Sequence, residues 1–310
     1  MSIIGHQKII SFFEKIIDKN SLSQSYCFVG ANQMGKRATA RYFASRLLKV
    51  DEKKLDTHPD FYYLARQIDE KTEKIKKDIV ISQAREIKKR LGNKSWFGGY
   101  QVVIIDEAEL LNEESGNALL KSFEEAGGKR VFFLLTTDDD ELLLTIRSRC
   151  QMFYFSLVSV KDIETGLVKL GYSEALSAES AKLSWGRPGR AIMLVSDGES
   201  RKSFNAEMER WQNIINQPFF KKIKSLEDLL DDKTNSLRAG EKLSDATETW
   251  SVMWRNKMLE KIFAASADNS GDLSIKQIAS LINSFSAAKA LLTQNVNSKM
   301  VAEQVLLTLS

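Results

Sequence analysis

The run Gly30-Ala31-Asn32-Gln33-Met34-Gly35-Lys36-Arg37 has the spacing of a phosphate-binding loop (Gly, four residues, Gly-Lys) with its last position altered. Such a loop constrains the fold, because it joins a buried strand to the start of a helix. Both neighbours are present. Tyr26-Cys27-Phe28-Val29 is a short apolar run suited to a buried strand, and Ala40, Phe43, Ala44, Leu47 and Leu48 fall at helical spacing after the loop. In loops of this kind the glycines let backbone N–H groups wrap a phosphate. The lysine reaches the terminal phosphates, and a Ser or Thr hydroxyl holds Mg²⁺. Here Arg37 stands where that hydroxyl belongs. A guanidinium cannot ligate a metal, so the loop reads as that of a nucleotide site that hydrolyses poorly or not at all.

The hydrophobic pattern around the loop alternates between strand and helix. Ile3 to Asp18 reads as an amphipathic helix on Ile9, Phe12, Phe13, Ile16 and Ile17. Phe61 to Ala65 reads as a second strand after His58-Pro59-Asp60, and a charged helix follows around Ser82 to Leu91. Val102 to Ile105 is a third strand. A helix over Gly116 to Glu125 leads to a fourth strand, Val131 to Leu135, and a short helix near Glu141 to Ile146 precedes a fifth, Met152 to Phe155. Uninterrupted apolar strands separated by helices predict an α/β fold with a parallel sheet covered on both faces. Ligands of such sheets collect at the carboxyl ends of strands, where Gly30, Asp106 and Thr136 fall. Asp106-Glu107 directly follow the third strand. ATPases of this sheet type place one such acid on Mg²⁺ and another against the attacking water. An acidic pair after a strand is also an ordinary helix-start signal, and the phosphate loop upstream favours the site reading.

Composition bounds the rest. With 310 residues, 43% of them hydrophobic, the chain can bury a sizeable core and divide into two or three domains. No apolar stretch approaches a membrane span and the N-terminus lacks the build of a secretion signal, so a cytoplasmic location is expected. Cys27 and Cys150 lie far apart, with only His6 and His58 to help, so no zinc site can be drawn and reduced thiols are expected. A net charge of +4 is too small to establish nucleic-acid binding. Only three prolines are consistent with a mostly helical chain.

Three runs resemble signature segments of bacterial clamp-loader subunits, the AAA+ proteins of the replicative DNA polymerase III. They are Ile105-Asp106-Glu107-Ala108-Glu109, Asn117-Ala118-Leu119-Leu120-Lys121-Ser122-Phe123-Glu124-Glu125 and Thr145-Ile146-Arg147-Ser148-Arg149-Cys150-Gln151. The triplet Ser148-Arg149-Cys150 is the most specific. Ile4-Gly5-His6, the phosphate loop, His58-Pro59-Asp60, and Leu291 to Asn297 leading into Glu303 to Leu307 fall in that family's order. The likeness is greatest to delta-prime-type subunits, whose loops are often degenerate while the triplet is kept. One departure is the stretch Lys49 to Thr57, which is short and free of cysteine where the family usually carries a four-cysteine zinc module. The resemblance therefore implies no zinc here.

What the resemblance implies is an AAA+ P-loop sheet domain over 1–156, a small helical lid over 157–200 and an all-helical collar over 201–310. Lys161 to Leu170, Ser173 to Leu183 and a helix opening after Ser184-Trp185-Gly186-Arg187-Pro188-Gly189-Arg190 would form the lid. Gly30, Gly35, Lys36, Asp106, Glu107, Thr136 and Arg190 would outline a degenerate nucleotide site, with ATP not required and no metal held. Arg190 could reach a phosphate across a domain gap, or be an ordinary solvated arginine. Arg149 would act in trans on a neighbour's ATP. Partners would be gamma/tau-like and delta-like subunits, with the sliding clamp and primed DNA reached through the complex. In the collar, Ile278, Leu281, Ile282, Phe285, Ala288 and Leu292 form one apolar stripe that Val301, Val305 and Leu309 continue. Trp250 and Trp254, at i and i+4, read as packing residues. Lys88-Lys89-Arg90 could touch DNA phosphates or be a solvated helix face. Two functions follow: a non-catalytic subunit that presents surfaces and one arginine, or an active gamma-like ATPase motor with an eccentric loop. Arg37 favours the first.

Overall fold

The computed structural model describes residues 3–67, 79–124, 129–215, 217–226, 230, 236–263, 274–293 and 296–308. The chain divides into two compact units, Met1–Ser196 and Asp197–Ser310.

The first unit is built on a five-stranded, all-parallel sheet. Its strands are β1 (Ser25–Val29), β2 (Phe61–Leu64), β3 (Gln101–Ile105), β4 (Arg130–Thr136) and β5 (Gln151–Tyr154), in the spatial order β2-β3-β4-β1-β5. β1 lies between β4 and β5, with Cys27 opposite both Leu134 and Met152, and β3 pairs β4 with Val103 opposite Phe132. The helices interleaved with these strands are α1 (Gln7–Asp18), α2 (Lys36–Leu48), α3 (Ile81–Leu91), α4 (Glu113–Glu124) and α5 (Leu144–Arg147). Because successive strand side chains point to opposite faces, each apolar strand feeds two cores. Cys27, Val103, Ile105, Phe132 and Leu134 pack with Ala84, Ile87 and Leu91 of α3 and Leu119 and Phe123 of α4. Tyr26, Phe28, Val102, Ile104, Val131 and Phe133 pack with Phe13 of α1 and Ala40, Phe43, Ala44 and Leu47 of α2.

The sheet and its helices follow the expected pattern, with shifted ends. The expected first helix begins at Gln7 rather than Ile3, because Gly5 and His6 both take left-handed backbone, φ 79° and 56°. Its ring is fixed there by a 2.9 Å hydrogen bond with the Met34 carbonyl. The short helix expected near Glu141 to Ile146 is confined to Leu144–Arg147. Glu125, at the end of the expected fourth helix, lies outside the described residues.

Three further helices complete this unit: α6 (Val160–Lys169), α7 (Glu174–Ser184) and α8 (Pro188–Ser196). Ile163, Leu167, Ala181 and Ala191 bury against Ile4 and Val158 in a small core of their own. Ser159 caps α6 by accepting the Asp162 N–H at 3.1 Å.

The second unit is helical throughout its described residues: α9 (Gly198–Ile215), α10 (Phe219–Lys224), α11 (Ser236–Phe263), α12 (Ile275–Thr293) and α13 (Ser298–Leu307). The expected apolar stripe is buried at Ile278, Leu281, Phe285 and Ala288, and Val301 and Val305 join it. Trp250 and Trp254 are core residues as read. Trp250 stacks on Trp211 at 4.2 Å and donates its indole N–H to Glu207 at 3.0 Å. Gln294, Asn295 and Leu309 lie outside the described residues.

Candidate functional site

The carboxyl ends of β1, β3 and β4 bring the loop, the acidic pair and Thr136 to one edge of the sheet. Gly30 N–H donates to the Thr136 carbonyl at 3.2 Å, which ties the loop's first residue to the end of β4. Gly30 is required as glycine: its φ is 152°, and a Cβ would come within 2.7 Å of the Phe155 carbonyl oxygen. Gly35, at φ 91°, turns the loop into α2 with open space on its Cβ side.

The groups that would serve a nucleotide are engaged with one another. Lys36 Nζ turns back on its own loop, donating to the carbonyls of Gly30 and, at 3.0 Å, Ala31. Burial pushes its pKa down to about 8, against the opposing pull of Glu109 and Asp106. Arg37 reaches across to β3, where its Nε donates to Asp106 Oδ2 at 2.7 Å and its Nη2 makes an ion pair with the same oxygen. Tyr63, in β2, donates its hydroxyl to that oxygen as well, at 2.5 Å. Burial and the adjacent carboxylate raise the Tyr63 pKa, so the phenol stays a donor. Glu107, at φ 53°, is held by both ends of the Arg66 guanidinium at 2.7 and 2.5 Å.

This arrangement does not fit a magnesium–nucleotide. Mg²⁺ takes an octahedral shell of oxygens, and Asp106 Oδ2 already faces a guanidinium and a phenol O–H. A second cation there would sit against Arg37. The bland reading of Asp106-Glu107 as a plain helix-start pair is also not what is seen, since both acids are held by arginines.

Thr136 and Arg190 are placed apart from phosphate chemistry. Thr136 is buried and its hydroxyl closes a local turn, donating to the Asp138 carbonyl at 2.7 Å and accepting the Asp138 N–H at 3.2 Å. Arg190 is not a solvated arginine. It is 6% exposed, with its guanidinium 4.7 Å from the ring centre of Trp185. The start of α8 rests on the loop itself: Gly189 N–H donates to the Gln33 carbonyl at 2.8 Å, and a Cβ at Gly189 would lie 2.7 Å from that oxygen.

Arg149 stands away from this cluster, exposed on the turn between α5 and β5. Its Nη1 donates to the Thr145 carbonyl at 2.9 Å. Its neighbour Arg147 is tied down by Asp139 at 2.7 Å and Asp140 at 2.6 Å. Cys27 is buried and Cys150 partly buried, both as free thiols. No group of three or more His, Cys, Asp or Glu that could hold a metal ion occurs among the described residues. Nor is any described helix long and apolar enough to cross a membrane. Sequence reasoning missed Tyr63, Arg66 and the Gln33–Gly189 contact. The register held a signal for Arg66: Leu64 lies opposite Ile105, so two residues further on Arg66 falls level with Glu107.

Comparison with known proteins adds the lineage. The family model described as DNA polymerase III, delta subunit, matches residues 5–159, half of the chain. The chain is 35% identical over 139 residues to the DNA polymerase III subunit delta' of Escherichia coli, a match covering 44% of this chain and 40% of that one. It is 25% identical over 203 residues to the replication factor C small subunit of Methanococcus vannielii, covering 66% of this chain and 58% of that one. The chain thus spans less than two thirds of the length of either relative. Among solved structures, a DNA polymerase III gamma subunit-related protein of Thermotoga maritima is similar at 14% identity and a TM-score of 0.49, with 95% of this chain and 97% of that one covered.

Proposed function

The chain belongs to the DNA polymerase III delta-subunit family, and from that premise we propose that it is a non-hydrolysing, delta-prime-like subunit of a clamp loader. In this reading it assembles with gamma/tau-like and delta-like subunits. The complex places a sliding clamp on primed DNA, and this chain contributes Arg149 to a neighbour's ATP site. Residues 201–310 act as the collar that holds the ring of subunits together, and 157–200 as the lid. The observation that carries the reading is Arg37 on Asp106. The side chain that replaces the metal-holding hydroxyl also occupies the acid that would hold the metal. Arg66 on Glu107 removes the second acid from water activation in the same way.

A guanidinium at position 37 does for Asp106 what a divalent ion does in a working site: it neutralises the carboxylate and fixes its direction. The loop then keeps its shape from its own bonds, Lys36 to the loop carbonyls and Gln33 to Gly189. Such a subunit has one conformation to offer its neighbours rather than a nucleotide-dependent pair.

The test is reconstitution with gamma-like and delta-like subunits, followed by steady-state phosphate release from Mg-ATP. The purified chain alone should show no turnover above background. Turnover on the order of 1 per second would instead favour the gamma-like motor. Native mass measurement should find the chain in a stable hetero-oligomer; its failure to enter one would reject the clamp-loader role.

A further inference from the structure

The loop that joins α3 to β3 presents two aromatic rings to solvent. Trp96 is 76% exposed and Phe97 75% exposed. This is not a loose tip. The carboxylate of Asp60, itself 1% exposed, accepts the Trp96 N–H at 3.1 Å and the Ser95 hydroxyl at 3.2 Å. That hydroxyl in turn accepts the Gly99 N–H at 3.0 Å. Gly98 takes φ 68°, where a side chain would be strained, and the His58 ring flanks Phe97 at 5.4 Å. A buried acid therefore orders the very turn that holds two large apolar rings out in water, a placement that folding alone does not favour.

The charge around the rings has one sign. Between positions 85 and 99 the one carboxylate is Glu86, and it pairs with Arg90 at 2.6 Å. Arg85, Lys88, Lys89 and Lys94 are exposed beside the rings and make no ion pair within the described residues. Arg85, Lys88 and Lys89 stand at i, i+3 and i+4, which puts them on one face of α3. The next acidic neighbour, Asp56, is held by both ends of the Arg41 guanidinium at 2.7 and 2.9 Å.

We propose that this patch binds single-stranded nucleic acid, with Trp96 and Phe97 stacking on unpaired bases and Arg85, Lys88, Lys89 and Lys94 tracking the phosphates. Rings held rigidly in the open suit a flat partner whose faces are free, and only unpaired bases offer such faces. A duplex keeps its bases stacked and would use the cations alone. An apolar pocket on a protein would fit the rings but leaves the unmatched cations without a role. The inference rests on the clamp-loader reading only for the source of the strand, the unpaired template beside a primer.

The experiment uses the full chain and an oligodeoxythymidylate of about 15 nucleotides, within the site sizes such proteins cover. Trp185 is partly exposed and Trp211, Trp250 and Trp254 are buried, so quenching of tryptophan emission on binding reports Trp96. The oligonucleotide should quench emission at low salt, and a blunt duplex of equal length should not. W96F should keep binding and lose most of the signal, whereas W96A/F97A, read by fluorescence anisotropy of labelled oligonucleotide, should bind at least tenfold more weakly. Lys88→Glu with Lys89→Glu should flatten the salt dependence. The proposal is overturned if the wild-type chain does not bind the oligonucleotide, or if W96A/F97A binds it as well as wild type. It is equally overturned if the double variant loses only assembly with partner subunits, which would make the rings a protein contact. Assembly of the wild-type chain is scored separately, so a failed clamp-loader reading and a failed strand site give different results.

Discussion

At the scale of single residues, one substitution reorganises a whole site. Arg37 sits beside Lys36, and the two cations part: Arg37 goes to Asp106, and Lys36 to the carbonyls of Gly30 and Ala31. Replacing Asp106 by Asn keeps an oxygen for Tyr63 but removes the ion pair. Because the Arg37 side chain is 64% exposed, the loss on thermal or urea unfolding should be modest, about 1 kcal/mol. Lys36 gives a sharper measurement. Its folded pKa, about 8, lies below its ordinary 10.5, so the unfolded chain binds the proton more tightly. The penalty for holding the charge is full below pH 8 and fades as pH rises through 8 towards 10.5. Stability of wild type relative to Lys36→Met should therefore rise over that window, by an upper bound of about 3 kcal/mol. The comparison has to be a difference between the two proteins. Burial pushes the thiols of Cys27 and Cys150 upward from 9.0, and they lower stability above that pH in both. A flat difference would show that Lys36 is solvated rather than folded onto its loop.

At the scale of elements, the sheet was legible because its strands are apolar throughout. Val102 to Ile105 and Val131 to Leu135 have no polar side to expose, so both faces had to be covered, and they are. The helix ends were less legible: nothing in the apolar spacing of α1 reveals that Gly5 and His6 turn left-handed before it. The acids and the loop of the candidate site were readable from spacing, but their partners were not. Tyr63 and Arg66 meet Asp106 and Glu107 only because β2 lies beside β3 in parallel register, and strand order is a tertiary fact. Trp96 and Phe97 escaped attention for a related reason, since an aromatic pair in a sequence is usually core. Phe13 of α1 shows what the element boundaries must hold in place. It is fully buried, stacked on Phe43 at 4.6 Å and edge-on to Tyr26 at 4.7 Å. Phe13→Ala should cost about 3 to 5 kcal/mol, measured by denaturant unfolding. A loss below about 1 kcal/mol would mean that α1 is not part of the sheet's core.

At the scale of the whole molecule, each of the two units has its own apolar core, one on the sheet and one around Trp211, Trp250 and Phe285. A chain ending at Ser196 should still unfold cooperatively, yet fail to co-elute with gamma-like subunits in size-exclusion chromatography if residues 201–310 are the collar. Normal co-elution of that truncation would reject the collar assignment. The complex is also where Arg149 has to be judged. A guanidinium set against a neighbour's γ-phosphate neutralises charge in the transition state, and in known cases raises hydrolysis by about 10³ to 10⁵. Arg149 is exposed, while Arg147, two residues before it, is clamped by Asp139 and Asp140. The exposed arginine is the one able to leave its own subunit. In an assembled complex, Arg149→Ala should lower the hydrolysis contributed by the adjacent site by about 10²-fold or more, with nucleotide binding and subunit stoichiometry unchanged. Arg147→Ala serves as the control, because it should instead loosen the loop at Asp139 and reduce thermal stability. If Arg149→Ala leaves both hydrolysis and clamp loading at wild-type rates, the arginine plays no part in a neighbour's chemistry, and the chain contributes shape alone.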